Sequence, residues 1–168
     1  MRRTALLVLL VVAALLAATT YFRCADDRWL MFQVSFPDRE GYRTWVPISR
    51  TATLEVEYIH SVERVPVWDI IAVDDDGFYA KWSLLPDFGA GLPAQASVEV
   101  ATIAETGTMY KVVVTGQRRF DHLTYLMIPL NRYHFYVDGK LVLAPEVKTT
   151  GRVDIWVRRG CFPWLPTR

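Results

Sequence analysis

The sequence predicts an all-β domain, an antiparallel β-sandwich or a partly open barrel, preceded by one N-terminal hydrophobic helix. Three observations carry this expectation. Past residue 23 the chain consists of short runs rich in β-branched and aromatic residues. Turn signals separate the runs at close intervals, among them Val137-Asp138-Gly139-Lys140, Asp74-Asp75-Asp76-Gly77 and Glu105-Thr106-Gly107-Thr108. No segment after the leader holds helical periodicity beyond a turn or two. Evenly spaced short strands of this kind build sandwiches and barrels.

The N-terminal element comes first. Thr4 to Phe22 are 19 consecutive uncharged residues, 16 of them apolar, behind Arg2 and Arg3. As a helix this run rises about 28 Å, close to the ~30 Å hydrocarbon core of a bilayer. The pattern fits a signal-anchor, and the small residues Ala17, Ala18, Thr19 and Thr20 equally suit a signal peptidase. Both readings stay open. Either divides the chain into a leader, residues 1–23, and an extracytoplasmic domain, residues 24–168. Arg2 and Arg3 favour a cytoplasmic N-terminus, which puts the domain outside the cytoplasm or, after cleavage, in the periplasm or medium.

The strand runs follow in order. They are Arg28 to Phe36, Trp45 to Ile48, Thr53 to His60, Val67 to Val73 and Phe78 to Leu85. Next come Ala96 to Ile103, Met109 to Thr115, Leu123 to Ile128, His134 to Val137, Lys140 to Ala144 and Gly151 to Arg158. Thr53–His60 and the run after it suggest a hairpin around Glu63-Arg64. In that register Val56 opposes Val73, Tyr58 opposes Ile71 and His60 opposes Asp69, all on one face because side chains alternate. An imidazole and a carboxylate on an apolar face are costly singly and tolerable as a pair. Trp68 falls on the other, more polar face with Glu57 and Ser61, where an exposed tryptophan serves as an interface anchor.

Composition limits the function class. The chain is 52% hydrophobic and 22% charged with a net charge of +1. Such a domain lacks the basic footprint that holds a phosphate backbone, so nucleic acid is not an expected partner. The two cysteines, Cys24 and Cys161, stand at the ends of the exported part. Outside the cytoplasm a disulfide between them is allowed, and unpaired thiols are the alternative. No Cys/His spacing marks a metal site. Asp74, Asp75 and Asp76 read as an acidic turn rather than a calcium loop, because the other oxygen ligands of such a loop are missing. Arg118 and Arg119 read as a solvated loop end, with anionic headgroups or an acidic partner as the alternative. No cofactor is expected.

Two segments carry a resemblance. Tyr58-Ile59-His60-Ser61-Val62-Glu63-Arg64-Val65-Pro66-Val67, ending in Asp69, is followed by Asp87-Phe88-Gly89-Ala90-Gly91-Leu92-Pro93. With the late strand Gly151-Arg152-Val153-Asp154-Ile155-Trp156-Val157, they resemble the uncharacterised TAXI-type TRAP-transporter-associated family, number 1850 of the domains of unknown function. The likeness runs from about Leu54 to Arg159, and Trp68 stands where the family pattern is polar. The resemblance implies a small membrane-attached or exported β domain. It also implies an association with ion-driven uptake of a small organic solute, through transporter membrane subunits or a solute-binding protein.

The candidate site is therefore His60, Ser61, Glu63, Pro66, Trp68 and Asp69 with Phe88, Gly89, Ala90, Gly91, Leu92 and Pro93. Two glycines in the second segment allow close backbone approach and donation of N–H groups to a carboxylate. Adjacent residues of a strand point to opposite faces, so His60 and Ser61 do not form a nucleophile–base pair there. The expected function is a non-enzymatic, membrane-anchored accessory protein of a TAXI-type TRAP transporter. A small-carboxylate binding module near His60 and the glycine loop is the alternative, and a hydrolase ranks behind both.

Overall fold

The computed structural model describes residues 2–25, 27–74, 77–86, 96–103, 107–114 and 119–160. Helix α1 runs from Arg2 to Ala25. The side chains of its leucines and valines from Leu6 to Leu16 are exposed. Among the described residues no helix is long and apolar enough to cross a membrane.

The rest is mostly antiparallel β structure. The strands are β1 (Arg28–Ser35), β2 (Tyr42–Ile48), β3 (Ala52–Ile59), β4 (Pro66–Asp74), β5 (Gly77–Leu85) and β6 (Ala96–Ile103). They continue as β7 (Gly107–Val114), β8 (Arg119–Phe120), β9 (His122–Met127), β10 (His134–Val137), β11 (Lys140–Leu143) and β12 (Gly151–Arg159). They form two sheets, one ordered β2-β1-β12-β9 and the other β11-β10-β3-β4-β5-β7-β6, with β8 added to β5. The strand order does not close into a barrel. The nearest approach to one is at Asp121, where the chain leaves β8, paired with β5, and enters β9, paired with β12.

Alternation explains why the sheets bury a common core. Leu30, Phe32 and Val34 of β1 and Val153 and Ile155 of β12 are fully or almost fully buried. They share one cluster with Leu54, Val56, Ile71, Val73, Phe78 and Phe135 of the second sheet. Phe32 and Phe135 meet across it, ring centroids 5.8 Å apart and edge to face, the geometry that aligns a ring edge with a facing quadrupole.

Turn chemistry sets the hairpins. Asp138 and Gly139 have φ of 48° and 75°. Both are positive, as a two-residue turn matched to strand twist requires, so β10 and β11 join where the sequence suggested. The Asp138 carboxylate also accepts the backbone N–H of Thr53 at 2.8 Å. Gly77 opens β5 at φ 135°, and a Cβ there would lie 2.4 Å from the Phe120 carbonyl oxygen. That contact sits beside the sheet crossover. Gly77→Ala is expected to destabilise the domain by about 1–3 kcal/mol, read as a lower thermal midpoint, through strain and overpacking together.

The topology gives the domain two distinct ends. α1 enters β1 at Arg28, which pairs with Ile48 and Arg159. Residues 49–51 then link β2 to β3 at this same end. The opposite end holds the β3–β4 turn and the chain that follows Met127.

Candidate functional site

The signature segment occupies that far end. β3 and β4 pair with Val56 opposite Asp69, Tyr58 opposite Val67 and Ile59 opposite Pro66. This corrects the expected register, in which Val56 faced Val73 and His60 faced Asp69. The turn is the reason. His60 N–H donates to the Val65 carbonyl at 2.8 Å, and Arg64 N–H donates to the His60 carbonyl at 2.9 Å. Arg64 takes φ 56°, the left-handed region, to close the loop. A hairpin sealed at His60 and Val65 moves each partner by four residues from the expected one. Four is even, so every side chain keeps its predicted face.

His60 and Asp69 consequently do separate work. The His60 Nδ1 accepts the backbone N–H of Glu63 at 3.3 Å, bracing the turn from inside. Ser61 is exposed, and Val62 beside it is 75% exposed. Pro66 starts β4, a position where its missing N–H costs no ladder bond. Trp68 lies half-buried opposite Glu57 and Leu84 on the outer side of its sheet, sharing a face with Glu57 as expected. Glu57 on that face accepts the Tyr136 hydroxyl at 2.9 Å. Asp74 pairs with Arg119, so its carboxylate takes part in an ion pair at the crossover. Among the described residues no group of His, Cys, Asp and Glu is arranged to hold a metal ion. Asp75, Asp76, Arg118, Cys161 and the segment from Phe88 to Pro93 lie outside the described residues, as does the Cys24 side chain.

Asp69 points the other way, into the space between the sheets. Ser83, its partner across β5, donates its hydroxyl to Asp69 Oδ1 at 2.6 Å. The Tyr58 hydroxyl donates to the same carboxylate. Tyr133 stacks on Tyr58 at 5.1 Å, and Tyr125 from the facing sheet meets Tyr133 edge to face at 5.6 Å. Burial pushes the Asp69 carboxyl above its ordinary value, while the Ser83 and Tyr58 hydroxyls pull it back. Burial and the nearby Asp69 charge push Tyr133 up to about 12. The same two causes, with a contribution from Tyr133, raise Tyr58 further. Tyrosines shifted this way keep their protons and serve as donors rather than as bases or nucleophiles.

Asn131 completes the end and is not among the residues singled out from the sequence. Its side-chain N–H donates to the Ile59 carbonyl at 2.7 Å, and its Oδ1 accepts Ile128 N–H at 3.2 Å. Ile59 N–H donates back to the Asn131 carbonyl at 2.7 Å. The turn after β9 is thereby bolted to the last residue of β3. The readable trace of this was the Pro129-Leu130-Asn131 turn composition. Tyr125, Tyr133 and Ser83 were also missed, because only the register brings them to Asp69.

The arrangement defines a two-sheet antiparallel β domain whose signature hairpin is braced from within and exposed at its tip. The chain belongs to the family described as domain of unknown function (DUF1850), which matches residues 54–143. The strand from Gly151 lies beyond the matched residues. No curated protein and no solved structure matches the chain.

Proposed function

We propose that this chain is a non-enzymatic accessory protein of a TAXI-type TRAP transporter. In this reading α1 is a signal-anchor, and the two sheets form a sandwich outside the cytoplasm. The anchor rests on the uncharged run from Thr4 to Phe22, whose helical rise of about 28 Å approaches a bilayer core. The described exposed side chains cover Ala5 to Thr19, roughly 22 Å of that rise.

The observation that carries the docking role is the division of labour within the signature. Its polar groups, His60 and Asp69, are spent on the turn and on the tyrosine cluster. Its exposed residues are Ser61, Val62 and Arg64, with the apolar Val62 75% exposed between two polar neighbours. A site built for chemistry turns its titratable groups toward a cleft, whereas a recognition element holds them in the scaffold and presents contact surface. His60 Nδ1 is occupied by Glu63 N–H, which favours the non-enzymatic reading over a hydrolase.

Affinity purification of the full chain from detergent-solubilised membranes that also express the transporter provides the test. Retention of transporter components at defined stoichiometry is the expected result. Repeated recovery of the chain without any of them contradicts the proposal.

A further inference from the structure

The two ends of the domain face different surroundings if α1 is the anchor, and this inference rests on that reading. α1 reaches β1 through residues 26–27, so the Arg28 end of the sheets adjoins the bilayer. The His60–Val65 turn lies at the other end of β3, an eight-residue strand. Eight residues of strand rise about 26 Å.

Exposed apolar side chains stand on two separate stretches of chain at the far end. Val62 is 75% exposed, Ile128 37% and Leu130 38%. Asn131 ties these stretches together through its bonds to Ile59 and Ile128. Leu130 precedes that asparagine, and Val62 lies three residues past Ile59. A groove of about 390 Å³ opens on the second stretch, lined by Ile128, Pro129 and Val147 with Arg132 and the exposed Glu146 among its walls. Arg64 and Arg132 are exposed at this end, each held at positive φ, 56° and 46°. Glu63 in the same turn is half-buried. An apolar centre beside exposed arginines is the composition of a protein-binding hot spot, and it complements an apolar patch with an acidic rim.

We infer that this far end docks a water-soluble extracytoplasmic protein carrying an apolar patch with acidic neighbours. Within the proposed transporter that partner is the solute-binding protein, not the membrane subunits. A surface at the end of the strands opposite the anchor is presented to the aqueous compartment. It meets a soluble component there before it meets the bilayer.

Site-specific photo-crosslinking tests this on the full chain in membranes that express every transporter component. A photo-reactive residue replaces Val62 in one variant and Arg50, at the α1 end, in another. Position 62 is expected to give a product with the solute-binding protein, and position 50 is expected to give none. A position-62 product with a membrane subunit overturns the inference and leaves the accessory role standing. No product with any component, from either position, overturns both. The charge-reversal pair Arg64→Glu and Arg132→Glu is a second measure. It is expected to weaken binding of the purified solute-binding protein by about tenfold and to flatten its salt dependence. Unchanged affinity in a variant with unchanged circular dichroism counts against the inference.

Discussion

Phe135→Ala is expected to lower the unfolding free energy by about 3–5 kcal/mol, the range for removing a fully buried aromatic ring. Phe135 is 0% exposed and stands at the centre of the core. Its ring meets Phe32 of the facing sheet, Tyr125 at 5.6 Å and Tyr133 at 5.9 Å. The cavity would therefore open between the two sheets and beneath the tyrosines that enclose Asp69. Urea unfolding of the full chain in mild detergent measures this as a lower midpoint with an unchanged slope. A loss below about 1 kcal/mol would mean that the sheets collapse onto the gap, contrary to close packing there.

The second large effect is expected at Asp69. Asp69→Ala removes the acceptor for Ser83 and Tyr58, and each enclosed hydroxyl left without a partner costs about 1–3 kcal/mol. The combined loss should be about 2–6 kcal/mol by the same rule. Asp69→Asn keeps an acceptor oxygen and removes the charge, so it should cost much less.

The comparison also yields a pH dependence. The native carboxyl holds its proton more tightly than the unfolded one, because burial raises it above the ordinary value of 3.8. In the interval between those two values the native state binds more protons than the unfolded state, so stability falls as pH rises. Above the native value the cost is constant. Relative to Asp69→Asn, the parent should therefore lose stability as pH climbs from 3.8 through its raised native value, then run parallel. Midpoints of urea unfolding across a pH series read this directly. A parent that loses stability relative to Asp69→Asn on acidification would reverse the sign and show the charged form to be the favoured one.

Much of the strand content was legible because alternation and turn residues are local. The Asp138-Gly139 hairpin formed where its residues required it. Within the signature hairpin the faces were legible but the partners were not. Face depends on parity alone, whereas register depends on the turn, and the His60–Val65 closure rests on Arg64 adopting positive φ. Arginine gives no advance notice of that conformation, unlike glycine or asparagine. The tyrosine cluster was hidden for a different reason. Tyr58, Tyr125 and Tyr133 come from β3, from β9 of the other sheet and from the turn before β10. Nothing local in the chain says that these strands converge. The division into two sheets has the same origin, since β1 finds β12 across more than 100 residues.

The claim on which the functional account depends is that the signature hairpin acts by its exposed surface and not by its polar chemistry. Co-purification from transporter-expressing membranes, run side by side for Val62→Asp and Ser61→Ala, tests it most directly. Both residues are exposed in the turn, so neither change should alter the fold. The account predicts that Val62→Asp sheds the transporter components while Ser61→Ala keeps them at the parent level. Loss with Ser61→Ala and retention with Val62→Asp would contradict it.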